Sequence, residues 1–180
     1  MADYLVTGAA GFIGARVAEM LLAQGHAVTG VDNLNDAYDV HMKEHRLRKL
    51  QTLSRFTFER LDVSDREIVT RLSSPVTPKF DAVINLAARA GVRASVENPW
   101  AFVETNVLGT LNLLELCHQR GIEKFILAST SSIYGADAPL PTPESADSDH
   151  PLQPYAASKK AAEVLGHSYH SLYGLSLIHI

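Results

Sequence analysis

A tyrosine and a lysine stand one helical turn apart in this 180-residue chain, in the segment YAASK at positions 155–159. A helix here places the side chains of Tyr155 and Lys159 on one face. A free tyrosine, with a pKa of about 10, is a poor base at neutral pH. Because a neighbouring ammonium favours the phenolate, it lowers that pKa. The pair could then take a proton from an alcohol while a hydride leaves the carbon of that alcohol.

A glycine-rich segment near the start of the chain, TGAAGFIG at positions 7–14, is a second motif that could do chemistry. Its spacing of Gly8, Gly11 and Gly14 is G-x-x-G-x-x-G rather than the commoner G-x-G-x-x-G. One glycine permits a tight turn, another lets the backbone approach a pyrophosphate, and the third lets a helix pack on a strand. The following helix directs its free N–H groups toward the phosphates. The motif therefore predicts a dinucleotide-binding loop.

Two aspartates follow predicted strands and fit the same ligand. Asp32 ends the second strand, where a carboxylate hydrogen-bonds an adenosine ribose and repels a 2′-phosphate, so NAD is favoured over NADP. Asp62 follows the third strand, in LDV at positions 61–63. It could accept a hydrogen bond from the adenine amino group, or it could cap a helix or lie on the surface.

These residues need a scaffold, and the hydrophobic pattern supplies one. We predict strands at about 4–7, 27–32, 56–60, 80–85 and 125–128, and helices at about 12–24, 40–50, 65–72, 99–120 and 154–173. The helix at 40–50 should be exposed, Ser64 and Glu67 should form a capping box, and Trp100 and Cys117 should be packing residues. Alternating strands and helices predict an α/β fold, a Rossmann-type doubly wound parallel sheet.

Composition excludes several other classes of protein. The net charge of −4 argues against nucleic acid as the main partner, because phosphate binding needs clustered positive charge. No apolar run reaches the roughly 18 residues of a membrane-spanning helix, and no signal peptide is visible. A single cysteine fits a reducing compartment, so we expect a cytoplasmic protein. The eight histidines show no metal-ligand spacing, and we expect no metal.

Six segments together resemble the nucleotide-sugar epimerases of the extended short-chain dehydrogenase/reductase family. They are TGAAGFIG at 7–14, VDN at 31–33, NLAA at 85–88, NVLGTLNLLE at 106–115, STSSIYG at 129–135 and YAASK at 155–159. The resemblance implies that NAD is the cofactor and that Thr130 contacts the reacting hydroxyl beside the catalytic Tyr155 and Lys159. Together, the motifs described above and this resemblance give the residues expected to hold NAD: Gly8, Gly11, Phe12, Ile13, Gly14, Asp32, Asn33, Asp62, Val63, Leu86, Ala87, Ala88, Asn106, Ser129, Tyr155 and Lys159.

Within the family, residues 32–40 and 87–95 are similar to stretches of UDP-glucuronate 4-epimerases, although Ala94 replaces their usual aromatic residue. Members that eliminate water or decarboxylate the sugar carry a glutamate where this chain has Ser132, so the resemblance favours simple epimerisation. We expect Arg93, Thr130, Ser131 and Ser132 to contact the substrate, and the two serines could hold a sugar carboxylate. Arg89 and Arg93 could serve an anionic sugar or could simply be solvated.

The resulting hypothesis is epimerisation at C4 of a UDP-sugar, converting UDP-glucuronate to UDP-galacturonate. A hydride passes to bound NAD and returns through a 4-keto intermediate. Two alternatives stay open. One is an epimerase of neutral UDP-hexoses such as UDP-glucose and UDP-galactose, and the other is an inactive NAD-binding fragment. The resemblance also implies a homodimer for the full-length enzyme.

The end of the chain departs from the family pattern. The resemblance runs from about residue 3 to residue 174, where family members continue into a further strand and a substrate-binding domain. Here the last six residues, LSLIHI, are also encoded by one reading frame of a common sequencing adapter. We therefore expect an NAD-binding domain at 1–174, an adapter-derived tail at 175–180 and no C-terminal substrate domain. Such a fragment should have little or no activity alone.

Overall fold

Six parallel strands form a single sheet in the computed structural model, which describes residues 1–179. The strands are β1 Asp3–Thr7, β2 Ala27–Val31, β3 Phe56–Glu59, β4 Ala82–Asn85, β5 Lys124–Leu127 and β6 Ser176–His179. Their order in the sheet is β3-β2-β1-β4-β5-β6, with every neighbouring pair parallel. This is the strand order of the doubly wound dinucleotide-binding fold. The predicted Rossmann-type sheet is confirmed.

Helices cover both faces of the sheet. They are α1 Phe12–Ala23, α2 Val40–Gln51, α3 Glu67–Leu72, α4 Val92–Glu97, α5 Pro99–Phe102, α6 Gly109–Arg120 and α7 Pro154–Tyr173. Each face has its own apolar core, and neighbouring residues of one strand point to opposite cores. Leu5 packs in the core beneath α3, α6 and α7, whereas Val6 packs in the core beneath α1. Burial on both faces explains why the strands are nearly continuous apolar runs.

The glycine loop connects β1 to α1 by a tight turn in which backbone segments lie in close contact. Gly8 has a φ of +68°, which a side chain rarely tolerates. A Cβ on Gly14 would lie 2.1 Å from the carbonyl oxygen of Gly8. The first turn of α1 therefore approaches the loop backbone more closely than any residue with a side chain allows. This contact orients the N-terminus of α1 toward the carboxyl edge of the sheet.

Several local expectations are corrected. The predicted helix at 99–120 is divided by a π-helical segment, Val103–Leu108, between α5 and α6. The short helix α4 and a 3₁₀ turn at Ser131–Tyr134 were not predicted, because one or two turns leave no periodic pattern to detect. The capping box is wrong, since the Ser64 hydroxyl donates to Asp62 instead.

Of the two residues predicted to pack in the core, one is buried and the other is exposed. Cys117 is buried as predicted, and burial raises the pKa of its thiol to about 12. Trp100 is 75% exposed, so its predicted packing role is wrong. It stands in the first turn of α5, a short helix that lies against α4 and α7. Within the described residues, no helix is long and apolar enough to cross a membrane.

The last described residues add a strand beyond the boundary predicted at residue 174. β6 pairs with β5, with Phe125 opposite Leu177. Leu175 is buried, and a Cβ on Gly166 of α7 would lie 2.6 Å from the Leu177 side chain. An alternating apolar segment after α7 thus meets the requirements of an edge strand, and residues 176–179 belong to the sheet. The adapter origin of these residues stays a prediction.

We predict that Gly14→Ala lowers the free energy of unfolding by about 3 kcal/mol, because its Cβ would clash with backbone rather than with a flexible side chain. Gly25→Ala is the matched control. Gly25 has a positive φ, +83°, and a Cβ there meets nothing within 4 Å, so its cost should be about 1 kcal/mol, from the backbone conformation alone. Urea unfolding compares the two variants. Equal costs would contradict the close approach.

Candidate active site

A cavity of about 200 Å³ opens at the carboxyl edge of the sheet, beside the glycine loop. Eight of the predicted cofactor residues line it: Gly8, Gly11, Asp32, Asn33, Val63, Leu86, Ala87 and Ala88. Phe12, Ile13 and Gly14 line an adjoining hollow at the start of α1, and the Phe12 and Ile13 side chains are exposed. The residues come from the loops after β1, β2, β3 and β4. The sheet thus gathers side chains that are far apart in the sequence.

Asp32 is buried and held in one orientation at the cavity wall. One carboxylate oxygen accepts from the Ala10 backbone N–H at 3.1 Å, and the other accepts from the Leu34 N–H at 2.9 Å. The Lys43 ammonium lies 3.9 Å from the second oxygen. The carboxylate is therefore fixed by the glycine loop on one side and by α2 on the other. Its position suits a hydrogen bond to a ribose hydroxyl.

Asp62 and Asn33 form a second polar group in the cavity region. The Asn33 amide donates to Asp62 at 2.6 Å, and Ser64 donates both its N–H and its hydroxyl to the other carboxylate oxygen. Burial alone would raise the pKa of Asp62, but the hydrogen bonds from Ser64 and Asn33, helped by the charge of Arg89, outweigh it and lower the pKa. Asp62 therefore stays ionised and serves as an acceptor. These contacts fit the predicted ligand-facing role and the loop-capping role alike.

A chain of buried side-chain hydrogen bonds links the glycine-loop strand to the helices beyond it. The Thr7 hydroxyl accepts from the Ala87 N–H at 3.2 Å and donates to Asn85 at 2.7 Å. Asn85 donates to Thr110 at 3.2 Å, and Thr110 donates to the backbone carbonyl of Asn106 at 2.7 Å. All of these polar side chains are buried. Because unpaired buried polar groups are costly, this chain fixes the relative positions of β1, β4 and α6.

Asn106 continues the hydrogen-bond chain from the π-helical segment. Its amide nitrogen donates to the Arg89 carbonyl at 3.0 Å and to the Ser158 hydroxyl at 2.9 Å, and its oxygen accepts from the Arg89 N–H at 2.8 Å. Ser158 in turn donates to the Tyr155 carbonyl at 2.7 Å. With 1% of its surface exposed, Asn106 acts on the Arg89 turn and on α7. These contacts support a positioning role, and direct contact with a cofactor stays a prediction.

Tyr155 and Lys159 occupy the first turns of α7, as the spacing predicts. The Tyr155 ring packs edge-on against Phe102, with the ring centroids 6.0 Å apart. Lys159 is 4% exposed. Burial lowers the pKa of its ammonium to about 8, although the charge of Glu163 opposes that shift. A cation so little solvated exerts a strong field on its neighbours, and the pair is chemically suited to move a proton.

The loop after β5 brings Ser129, Thr130, Ser131 and Ser132 to the same edge of the sheet. Ser129 donates to Glu163 of α7, so it joins the loop to the helix that carries Lys159. The Thr130 hydroxyl accepts from the Ser132 N–H at 3.2 Å and begins the 3₁₀ turn. Ser131 is exposed and Ser132 is half-buried. These hydroxyls remain candidates for substrate contact.

The two loop arginines lie in different surroundings. Arg93 is exposed on α4, and no described contact directs it to the cavity. Arg89 is half-buried, its charge lowers the pKa of both Asp62 and Lys43, and its Nε atom is buried without a described hydrogen-bond partner. The Arg89 charge therefore lies near Asp62 and Lys43, on the wall of the cavity beside α2.

Three residues that contribute to the site were not predicted from the sequence. Lys43 belongs to a helix predicted to be exposed, yet it is in phase with the buried Leu47 and Leu50. The sequence did contain a signal for this burial, because Lys43 occupies a position in the apolar stripe of its helix. Glu163 stands one turn after Lys159, which was a second available signal. Asn85 lies in a recognised segment, but its link to Thr110 depends on the fold alone.

Sheet order, glycine loop and oriented acidic residue define a dinucleotide-binding domain of the Rossmann class, with a Tyr/Lys pair at the same edge. The model of a family described as the NAD dependent epimerase/dehydratase family matches residues 4–180. The chain belongs to this family. Among the described residues, no group of three or more histidine, cysteine or acidic side chains is arranged to hold a metal ion.

Known relatives and solved structures agree with this assignment. The chain is 54% identical, over 98% of its length, to the UDP-glucuronate 4-epimerase of Thermodesulfobacterium geofontis, and it covers 54% of that protein. A Bacillus cereus UDP-glucuronic acid 4-epimerase in complex with UDP-glucuronic acid and NAD has a TM-score of 0.88 at 34% identity, with 98% of this chain and 55% of that chain covered. A Thermotoga maritima UDP-glucose 4-epimerase with UDP-glucose has a TM-score of 0.86 at 34% identity, with 98% and 54% covered. The chain thus spans about half the length of the relatives it matches.

The burial of Lys159 predicts a dependence of stability on pH. Its pKa is about 8 in the folded chain and 10.5 when the side chain is free, so between these values the unfolded chain binds more protons. Stability should therefore rise as the pH increases through this window. Lys159→Met should flatten the rise, whereas the exposed Lys124→Met should not. Urea unfolding across the window provides the comparison, and equal slopes in wild type and Lys159→Met would contradict a lowered pKa of Lys159.

Proposed function

We propose that this chain is the cofactor-binding and catalytic half of an NAD-dependent nucleotide-sugar 4-epimerase that acts on UDP-glucuronate. The observation that carries the proposal is the arrangement of two features at one edge of the sheet. They are the cavity beside the glycine loop, with its oriented Asp32, and the Tyr155–Lys159 pair on α7. Relatives with this activity, at 54% and 34% identity, support it.

The residues of the cavity fit NAD. The Asp32 carboxylate, fixed by two backbone N–H groups, would hold the adenosine ribose. Gly8 and Gly11 leave the loop backbone open to a pyrophosphate, and Val63 and Leu86 provide apolar walls. Because Asp62 remains ionised, it would accept from the adenine amino group. The position of Asp32 also supports the choice of NAD over NADP, since a 2′-phosphate would meet its charge.

The chain's own residues supply the acid–base part of the reaction. Tyr155 takes the proton of the C4 hydroxyl of the sugar and later returns it. The Lys159 ammonium favours the tyrosine phenolate, and Thr130 orients the hydroxyl. NAD, when bound, supplies reversible hydride acceptance at C4. The hydrogen bond from Ser158 to the Tyr155 carbonyl keeps the first turn of α7 in position throughout.

The choice of UDP-glucuronate over a neutral hexose is supported by Ser131 and Ser132. Two hydroxyls beside Thr130 could hold a sugar carboxylate by hydrogen bonds, and neither adds a competing negative charge. A glutamate at position 132 would repel that carboxylate. The alternative of a UDP-glucose/UDP-galactose 4-epimerase is supported by the similarity to the Thermotoga maritima enzyme. We also propose that Arg93, exposed on α4, contacts the anionic sugar.

We further propose that the residues selecting the sugar lie outside these 180 residues, and that residues 175–180, although 176–179 form a strand of the sheet, are derived from an adapter. The chain covers 54% of its Thermodesulfobacterium relative. It should then be an NAD-binding module with little or no turnover by itself. Resequencing of the gene tests the tail: a native stop codon after Ile180 would contradict an adapter origin.

For the whole protein we propose a homodimer. Large apolar side chains are exposed on α5, on the π-helical segment Val103–Leu108 and on α7, and these three elements contact one another. They are Trp100, Val103, Leu108, Val164 and Leu172. Exposed apolar groups of this size indicate a surface that another chain covers. The symmetric solution is a second copy of the same helices.

We place the protein in the cytoplasm, where its substrate class and cofactor would meet it. The single cysteine, Cys117, is a buried free thiol, which suits a reducing compartment.

The activity can be tested in a chimera that joins residues 1–174 to the remaining part of the Thermodesulfobacterium geofontis enzyme. We expect it to convert UDP-glucuronate to UDP-galacturonate, measured by chromatography of the nucleotide sugars. Tyr155→Phe should lower the rate by about 100-fold or more, because it removes the group that takes the proton. Tyr173→Phe, at the far end of α7, is the control and should keep the rate.

The other possible results of the chimera experiment distinguish between the proposals. Conversion of UDP-glucose alone would favour the hexose epimerase. No product from either sugar, or an undiminished rate in Tyr155→Phe, would contradict the proposed function.

A further inference from the structure

A buried cation forms part of the cavity wall and has no role in the chemistry described above. Lys43 lies in the first turn of α2, lines the cavity and is 5% exposed. The neighbouring basic residues of the helix, Arg48 and Lys49, are exposed. Lysine is seldom buried without a partner or a ligand. The burial of this particular lysine therefore needs an explanation.

The contacts of Lys43 all converge on the loop that follows β2. Its ammonium donates to the Asn35 carbonyl and to the Asn35 side-chain oxygen, both at 2.9 Å, and lies 4.9 Å from the centre of the Tyr38 ring. The Asp32 carboxylate oxygen is 3.9 Å away. Lys43 thus stabilises the loop after β2. Its ammonium is also the positive charge close to the Asp32 carboxylate, which should hold the ribose.

The positive charge is held there at an energetic cost. Burial lowers the pKa of Lys43, Asp32 partly restores it, and the nearby charge of Arg89 lowers it further. Two cations therefore share this wall of the cavity, and the Asp32 carboxylate is a counter-charge that compensates Lys43. If that carboxylate were absent, the wall would present uncompensated positive charge to the cavity.

We infer that Lys43 is a specificity-determining residue for the cofactor: it holds Asp32 in place for the ribose hydroxyls, and it would bind a ribose 2′-phosphate once Asp32 was removed. The inference rests on the proposed dinucleotide site and deepens it. Preference for NAD then depends on one carboxylate that masks an existing phosphate-binding cation. An ammonium is a suitable partner for a phosphate, as a point charge with several donors.

The test measures binding of NAD⁺ and NADP⁺ by calorimetry to the 180-residue chain and to its variants. In Asp32→Ser we expect NADP⁺ to bind at least about tenfold more tightly than it binds the wild type, because the repelling charge is gone and the cation remains. Adding Lys43→Met should remove that gain. Adding Lys49→Met instead should preserve it, since Lys49 is an exposed charge on the same helix.

Lys43→Arg in the Asp32→Ser background keeps the charge and should keep the gain in NADP⁺ binding. Circular dichroism shows whether each variant is folded, so this conservative variant decides the matter if Lys43→Met does not fold. Equal NADP⁺ affinity in Asp32→Ser with and without Lys43→Met would overturn the inference and leave the NAD site intact. Likewise, loss of the gain in the folded Lys43→Arg variant would overturn it. Failure of every protein to bind either dinucleotide would overturn both this inference and the proposed cofactor site.

Discussion

The site depends on one continuous run of buried hydrogen bonds through the middle of the sheet. Thr7, at the end of β1, is linked through Asn85, Thr110 and Asn106 to Ser158 on α7. Each of these polar groups is buried, so breaking one link leaves a neighbour without a partner at a cost of about 1–3 kcal/mol. The run starts beside the glycine loop and ends beside the Tyr/Lys pair. It therefore fixes the cofactor side and the catalytic side in one frame, although they are far apart in the sequence.

Charges around this frame are arranged in compensated pairs. Asp32 faces Lys43 on the cofactor side, and Glu163 partly offsets the burial of Lys159 on the catalytic side. Each cation is almost fully buried, so its field is little screened by water. On the catalytic side we propose that this field acts on Tyr155. On the cofactor side it orients a carboxylate, which explains how a single acidic residue could choose between two closely related dinucleotides.

Much of the fold could be predicted from the sequence because its signals are local. The strand at 27–31 and the helix after Gly11 each show their own periodicity, and a parallel sheet follows from their alternation. Burial of Lys43 was not predicted, since a mostly charged helix resembles a solvated one unless its phase is followed to Leu47 and Leu50. The π-helical segment was also missed, because an inserted residue changes the phase of a helix without changing its composition. Asn106 was assigned to the cofactor on resemblance, and its partners on α7 are set only by the folded chain.

The central claim is that the glycine loop and the Tyr/Lys helix form one site. The most direct test is an NMR titration of the isotopically labelled chain with NAD⁺, following the backbone amides of Gly11 and Lys159. We expect both signals to move along the same saturation curve, because one ligand contacts both sides of a rigid frame. A response confined to the Gly11 signal, or no response from either, would contradict it.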